Sequence, residues 1–493
     1  MLKNFFHVIT LLGLLLSSTS CSPAGSATEN AAPAATPPLP VSTEGVSLVE
    51  PLPITPIEEQ EVISLQPADI NILLGRPTAN SITANVYSKF DTQIRIVYGT
   101  ASGIYSFQTP LVDLKANTPQ NIEIEGLSPN TEYFYRLISS DNPLGEHAFQ
   151  TQRPTGSTFT FTLDADPHNG EPNFNGELYS KTLSLALNDR PDFHIDLGDT
   201  FMTEKLKPQS FSQAEETFTA IRPYFSVLGA EVPLFLVNGN HEGEMGWLFK
   251  SGNTAELPLW STELRHTYYP NPIINDFYNG SKLTDPALGA VRDGYYSWTW
   301  GEALFIVLDP FWNTTEKPKP DEADSNWNWT LGKEQYDWLR TTLETSPSKY
   351  KFIMTHHLVG GDQDARGGIE FANLYEWGGN NADGSYGFDL QRPDWGKPIH
   401  QLLVDNKVSA VFHGHDHVFV KQILDGVIYQ EVPQPNVTSD TLRLAEKYGC
   451  LNGDVIGGSG YLRVMVSPIE VIVDFVRVSL SEPEQVAFSY SIQ

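Results

Sequence analysis

Cysteine is nearly absent. The 493 residues contain two, Cys21 and Cys450, too few for the disulfide framework of a small secreted scaffold. Basic residues are scarce as well. Lys and Arg number 31 against 60 Asp and Glu, leaving a formal net charge of −29. That balance argues against a nucleic-acid-binding surface, because phosphate backbones need a basic face. It fits a solvated, colloidally stable exterior. Long apolar runs are missing too: the mostly apolar stretch at 5–16 is too short for a spanning helix. What the chain does have is length and a 40% hydrophobic content, enough for two or three domains with real cores.

The N-terminus has an export pattern. Lys3 supplies a positive start, 5–16 is apolar, and Ser18-Thr19-Ser20-Cys21 follows. The small residues before Cys21 resemble a bacterial lipoprotein cleavage site, although Ser18 departs from the usual aliphatic residue. The resemblance implies a lipid on Cys21 and a periplasmic or cell-surface location, with membrane contact through that lipid only. Residues 22–66 then read as a tether. They hold eight prolines, six glutamates and no Lys or Arg, a composition that cannot bury enough apolar surface to order itself. The expected organisation is a signal peptide over 1–21, a disordered tether over 22–66, a β-domain over 67–153 and a larger α/β domain over 156–493.

Residues 67–153 alternate apolar and polar positions at 82–87, 93–98 and 121–124, with turn residues between them. The segment from Leu127 to Arg136, Leu-Ser-Pro-Asn-Thr-Glu-Tyr-Phe-Tyr-Arg, resembles the tyrosine-corner strand of a fibronectin type III-like or immunoglobulin-like sandwich. No chemistry shows in this part, which suits a spacer or substrate-positioning module.

From 156 onward, strands alternate with longer segments. Strands are expected at 158–163, 192–197, 233–238, 304–309, 350–355 and 408–413, and helices at 176–188 and 331–343. Strands separated by helices imply α/β layers, whose chemistry sits beyond the carboxyl ends of the strands. Polar clusters lie there. Asp164-Ala165-Asp166-Pro167-His168 follows the first strand, with Asp166 preferred over Asp164 as a metal ligand. Gly198-Asp199 follows the second and Gly239-Asn240-His241-Glu242 the third. His356 and His357 follow the fifth, one of them expected to pack in the core or behind the ligands. Gly414-His415-Asp416-His417 follows the last. On extended backbone, residues i and i+2 face the same way, so Asp166 with His168, and His415 with His417, could each reach one spot. Imidazole, carboxylate and Asn carbonyl oxygen are all metal ligands.

This order of motifs is similar to that of the calcineurin-like metallophosphoesterase superfamily: Asp-x-His, Gly-Asp, Gly-Asn-His-Glu, His, then Gly-His-x-His. The sandwich before it resembles the N-terminal domain of purple acid phosphatase-like enzymes. The resemblance implies a layered α/β/β/α sandwich and a dinuclear, metal-dependent hydrolase of phosphate esters that uses a metal-activated water. It implies one metal on Asp166, His168 and His417, a second on Asn240, His356 and His415, and Asp199 bridging the two. His241 would contact the phosphate or protonate the leaving oxygen, and Asn240, His241 and Arg366 would touch the substrate. Asp416 and His357 would orient ligands. A set with no thiolate points to Mn, Fe or Zn. The purple enzymes carry a tyrosine three residues beyond the Gly-Asp aspartate. Met202 stands there in this chain, which places it on a non-purple branch.

All ten tryptophans lie between Trp247 and Trp395. Within 243–355, Trp247, Trp260, Trp298, Trp300, Trp327 and Trp329 could line an aromatic cleft or form a satellite core beneath long loops. Residues 362–377, with Arg366, read as an active-site loop. The alternative to an enzyme is a non-catalytic, surface-anchored binding protein with an aromatic-rich recognition domain, but a degenerate enzyme would be expected to have lost a ligand and this chain has them all. Oligomeric state and the choice between mono- and diesters are not legible. One consequence is directly measurable: a chain lipidated at Cys21 begins at that residue and partitions with membranes. Mass spectrometry of the mature N-terminus, together with membrane fractionation, checks this. A soluble product starting elsewhere refutes it.

Overall fold

In the strand Gln120–Glu125, Ile122 and Ile124 are buried while Asn121, Glu123 and Glu125 are exposed, the period of two that a half-buried strand requires. The computed structural model describes residues 69–493 except 141, 208, 251–255, 320, 321, 323 and 362. The expected signal peptide, Cys21, the 22–66 tether and Asp362 lie outside the described residues. The same alternation in neighbouring strands builds a two-sheet β region. One sheet orders Ile70–Gly75, Ser81–Ser88 and Gln120–Glu125. The other orders Phe107–Gln108, Thr92–Gly99, Glu132–Ser139 and Asn142–Gln150, with Val112–Leu114 also paired to Thr92–Gly99. The sheets close on Ile72, Val86, Ile94, Ile96, Tyr135 and Leu137. The hydroxyl of Tyr133 accepts a hydrogen bond from Ser128 N at 2.9 Å, the upstream backbone contact of a tyrosine corner.

Six strands of the larger body match expected ones, and all but the fourth carry an expected cluster at the carboxyl end. They are β1 (Phe159–Asp164), β2 (Phe193–Asp196), β3 (Leu234–Leu236), β4 (Ala303–Val307), β5 (Tyr350–Met354) and β6 (Ala410–His413). Strands β3, β2 and β1 run parallel. Ser459–Val466, Val471–Val478 and Gln485–Ile492 extend that sheet as antiparallel neighbours. In the second sheet β4, β5, β6 and Val427–Glu431 run parallel. The two sheets face each other across an aromatic layer. Phe235 stacks on Trp298 with centroids 4.2 Å apart, and Phe161 meets Phe305 edge-on at 5.1 Å. Helices cover the outer faces. Gly176–Asn188 (α1) and Phe211–Gly229 (α2) bring Leu183, Phe218 and Phe225, and Lys333–Thr345 (α3) brings Leu339 and Leu343 against Leu304, Ile306 and Ile353. The order of layers is therefore α/β/β/α. The sequence expectations for these elements are met within about two residues at each end, the usual scatter at element boundaries.

The β region docks on this body through polar contacts. Arg222 of α2 is buried. Its Nε donates to Asn71 Oδ1 at 2.8 Å, its Nη2 to Asn85 O at 3.1 Å and its Nη1 to Tyr268 O. Tyr278 Oη donates to Pro77 O at 2.6 Å, and Asn85 Nδ2 donates to Thr267 O at 3.0 Å.

The aromatic insertion proves to be core rather than cleft. Trp298 and Trp300 lie between the sheets, and Trp327 and Trp329 lie in the outer core. Trp247 and Trp260 are half-buried against it. A buried ion network braces the insertion. Glu244 accepts from Arg265 Nε at 2.6 Å and from Arg292 Nη1 at 2.8 Å. Arg265 also reaches Asp293 at 3.2 Å, and Arg292 also pairs with Asp309. Burial pushes the Glu244 carboxyl up, but Arg265 and Arg292 outweigh it and hold the carboxyl at about 2, below the ordinary 4.5. A depressed folded value means that the stabilisation is fully present above about pH 4.5 and is lost as pH falls toward about 2. Thermal melts of Glu244→Gln should show a loss of about 3–5 kcal/mol at neutral pH and a flatter acid limb than wild type. A variant as stable as wild type would show that the network is not a brace.

Candidate metal centre

Hydrogen bonds between the loops assemble the site. Asp166 N donates to Gly198 O at 2.9 Å and His168 N to Asp199 O at 3.0 Å, so the loop after β1 is laced to the loop after β2. From the far side, Gln434 Nε2 donates to Asp166 O at 2.8 Å and Asn436 Nδ2 to Pro167 O at 2.6 Å. The clusters do not continue as extended backbone. Asp166, His168, Asp199, His415 and His417 all have left-handed φ, between 54° and 79°. The expectation of extended Asp-x-His and His-x-His pairs is therefore overturned. The turns also send His415 and His417 to different places. Asp and His tolerate this region better than most residues, and it costs of order 1–3 kcal/mol each, a strain typical of functional sites.

Two groups of ligand-type atoms result: Asp166 with His168 and His417, and Asp199 with His356 and His415. Within each group the atoms lie within 4.8 Å of one another. Asn240 joins the second group, its Oδ1 3.1 Å from His356 Nε2. Asp199 Oδ2 lies between the groups, 3.2 Å from His356 Nε2 and 3.6 Å from His168 Nε2. Its other oxygen accepts from His241 N at 2.8 Å. Asp164 faces elsewhere, paired with His194 at 3.1 Å. Backbone carbonyls set the rings. His356 Nδ1 donates to Leu197 O at 2.9 Å, leaving Nε2 as the inward atom. His415 Nε2 donates to Asp364 O at 2.7 Å, leaving Nδ1 inward, 3.2 Å from His356 Nε2. These are the partners that fix the tautomer of a ligating histidine.

The donor set fits a pair of cations. Asp166 Oδ1 and His168 Nε2 are buried without a hydrogen-bond partner, and buried polar atoms are rarely left so without a function. The electrostatics agree. Burial raises the Asp166 carboxyl, but His417 and His356 overcome this and hold it well below the carboxylate range. Asp199 is held down in the same way, against burial, by His356 and His241. Burial lowers His168 and His356, but Asp166 and Asp199 lift them to about 9 and about 10. Protons on two imidazoles thus balance two carboxylates, and metal binding would displace those protons.

With this geometry in hand, the sequence profile of the calcineurin-like phosphoesterases matches residues 159–419. The chain belongs to that family. No curated protein matches it. Among solved structures, PhoD aligns over 85% of this chain and 89% of its own at 14% identity, with a TM-score of 0.62. Purple acid phosphatase PPD1 from yellow lupin (Lupinus luteus) seeds aligns over 85% of this chain and 73% of its own at 15% identity, with a TM-score of 0.56. At such identity the likeness is one of fold. Family membership makes the chain a hydrolase of phosphate esters, and the two groups of ligand atoms make its centre dinuclear.

The remaining motif residues of the phosphoesterase fall around this centre. His357 joins neither group. It packs between Phe311 and Trp329, with centroids 5.0 and 4.6 Å away, and burial and His356 push it down to about 3. Asp416 turns away from the ligand groups to accept from Gly367 N at 2.8 Å and Arg366 at 3.2 Å. Arg366 also donates to His415 O and stacks 4.2 Å over Tyr448, so much of its fork is engaged in holding the His415 turn. Two carboxylates escaped sequence reasoning. Glu204 lies 3.2 Å from His241 Nδ1, and that contact lowers its carboxyl; its signal in sequence was only its place in the short turn after Asp199. Glu242 was seen as a motif letter, without a role. It accepts from the amides of Gly239, Asp199, Thr200 and Phe201 at 2.5–3.3 Å.

Gly239 is required by this crowding. A Cβ there would lie 2.3 Å from Asp199 N and Oδ1 and 2.6 Å from Glu242 Oε2. Gly239→Ala is expected to displace Asp199 and weaken metal binding by about 10–100-fold. Equilibrium dialysis with elemental analysis measures the loss. Unchanged affinity would mean that the Glu242 clamp does not position Asp199.

Proposed function

We propose that the chain is an exported, envelope-facing phosphoesterase, anchored through a lipid on Cys21, whose catalytic domain spans 156–493 behind a sandwich at 67–153. Asp166, His168 and His417 would hold one metal, Asn240, His356 and His415 would hold the other, and Asp199 would be shared by the two. The observation that carries this reading is the position of Asp199 Oδ2, within 3.6 Å of imidazoles from both groups. The all-N/O donor set favours Mn, Fe or Zn. Bound there, such a pair supplies positive charge for the phosphoryl oxygens and acidifies a water.

The protein's own groups do the rest. Turns with left-handed backbone and carbonyl-anchored rings hold the ligand atoms in place before substrate arrives. His241 is half-buried beside Asn240, with Nδ1 toward Glu204 and Nε2 3.9 Å from Asp199 Oδ2. Glu204 accepts from Nδ1 and orients the ring, and in the doubly protonated ring Nε2–H would be given to the leaving oxygen. Asn240 and His241 contact the phosphoryl group. Arg366 has part of its fork left for a further anionic group of the substrate. Both mono- and diesters fall within this mechanism.

Two measurements test it. Elemental analysis should find about two transition-metal ions per chain, the content a two-metal site requires, and Asp199→Ala should lose both. Retention of two metals with full activity in that variant refutes the bridge. His241→Asn should leave metal content intact. It should slow alkyl phosphate esters by ~10²–10⁴-fold but nitrophenyl esters much less, because a nitrophenolate needs little protonation. Measured as kcat/KM on both substrate types, an equal loss would make His241 a phosphoryl contact, and a loss of metal would make it a ligand.

A further inference from the structure

The strand Val427–Glu431 pairs in parallel with β6, and its register sets Glu431 beside His413, the last residue before the Gly414–His417 turn. Both side chains are buried, with His413 Nδ1 2.6 Å from Glu431 Oε2. The other oxygen of Glu431 reaches into the turn. Asp416 N donates to Glu431 Oε1 at 2.9 Å, and Asp416 is itself buried. Glu431 contacts none of the ligand-type side chains, so its bearing on them runs through the backbone.

The peptide between His415 and Asp416 is held at both ends. Its N–H goes to Glu431 Oε1, and its carbonyl oxygen accepts from Arg366 Nη1. In a trans peptide these two groups point in opposite directions, so Glu431 and Arg366 grip the plane from opposite sides. A plane gripped in this way fixes ψ of His415 and φ of Asp416. The turn needs such a constraint, because His415 and His417 have φ of 79° and 63°, values that a residue with a side chain rarely adopts.

The fixed peptide stands where the two histidines part. His415 goes to the group of Asp199 and His356, and His417 to the group of Asp166 and His168. The entry to the turn is tied separately, by Gly414 N to His356 O at 2.9 Å and His415 N to Asp166 Oδ2 at 2.8 Å. Gly367 N and Arg366 hold the Asp416 side chain. Among these contacts, those of Glu431 Oε1 and Arg366 Nη1 alone fall on the peptide that leads from His415 toward His417.

We propose that Glu431 is a positioning residue of the metal centre: with Arg366 it fixes the His415–Asp416 peptide, and that peptide sends His415 and His417 to different metals. The inference rests on the ligand assignment proposed above. The role requires an acceptor oxygen rather than a charge, since a carboxyl group can accept from an amide in either protonation state.

Equilibrium dialysis of Mn²⁺ against the full chain, without substrate, tests the proposal. Wild type should take up two ions, the content of a two-metal site; a smaller uptake would refute the ligand assignment and this inference with it. Glu431→Leu removes the acceptor and should weaken both stepwise affinities, by about 10–100-fold. Glu431→Gln keeps an oxygen for Asp416 N and should recover most of that loss. Arg366→Met releases the other end of the peptide and should also weaken both affinities, which a residue that touched only substrate would not do. Arg366 is half-buried, so its variant and Glu431→Gln decide the matter even if Glu431→Leu fails to fold. Wild-type affinity in Glu431→Leu overturns the proposal while leaving the ligand assignment intact, and so does wild-type affinity in Arg366→Met. A Gln variant as weak as the Leu variant overturns the acceptor role, and loss of only one of the two affinities overturns the shared peptide.

Discussion

The carboxylate of Glu242 is the constraint on which the metal centre rests. Four backbone amides, from Gly239, Asp199, Thr200 and Phe201, converge on its two oxygens. Those amides belong to the loops after β2 and β3, so one buried side chain ties Asp199 to the Asn240 turn. Burial, with Asp199 nearby, pushes this carboxyl up to about 7, and the amides work in the opposite direction. The arrangement is stable only while the loops stay close, and their closeness leaves no room for a side chain at Gly239. Rigidity at the centre thus comes from amide dipoles fixed by the chain rather than from the ligands themselves.

Sequence reasoning reached the outline of the site for a definite physical reason. Each ligand-type residue follows a short apolar run, and a buried parallel strand shows as such a run. Residues such as Asp166, Asp199 and His356 could therefore be placed at strand ends before any contact was known. The backbone at those ends was not legible. Left-handed conformations at Asp166, His168, His415 and His417 are imposed by neighbouring loops, and no glycine marks those four positions. Reading them as extended picked out residues that the structure does bring together, but by the wrong geometry, and would have sent His415 and His417 to one place. Glu204 was hidden because a short 3₁₀ turn carries no periodicity. The tryptophans left cleft and core both open for a related reason, since composition records aromatic area but not the direction in which it faces.

The two metal groups share a pattern of support. In each, a backbone carbonyl or a backbone amide takes up the outward half of at least one ligand-type side chain. Asp166 Oδ2 accepts from His415 N at 2.8 Å while Oδ1 stays free. Asp199 Oδ1 accepts from His241 N while Oδ2 turns inward. His356 and His415 are tethered through the nitrogen remote from the centre. The inward atoms of His356 and His415 are thereby left as lone pairs aimed at a fixed point, and rotation of either ring would break its hydrogen bond.

The Arg222 anchor bears on how the chain can be divided. Its guanidinium is buried where α2 meets the sandwich, with partners on both sides: Asn71 and Asn85 from one, Tyr268 from the other. Cutting the chain near residue 156 would strip that cation of two acceptors and of the Tyr87 ring beside it, and would uncover it to water. Burial already lowers its affinity for a proton to about 10. The sandwich is therefore less an appendage than a lid over an internal charge. A fragment without the sandwich would present that guanidinium to water, so the two parts share one buried charge rather than only a surface.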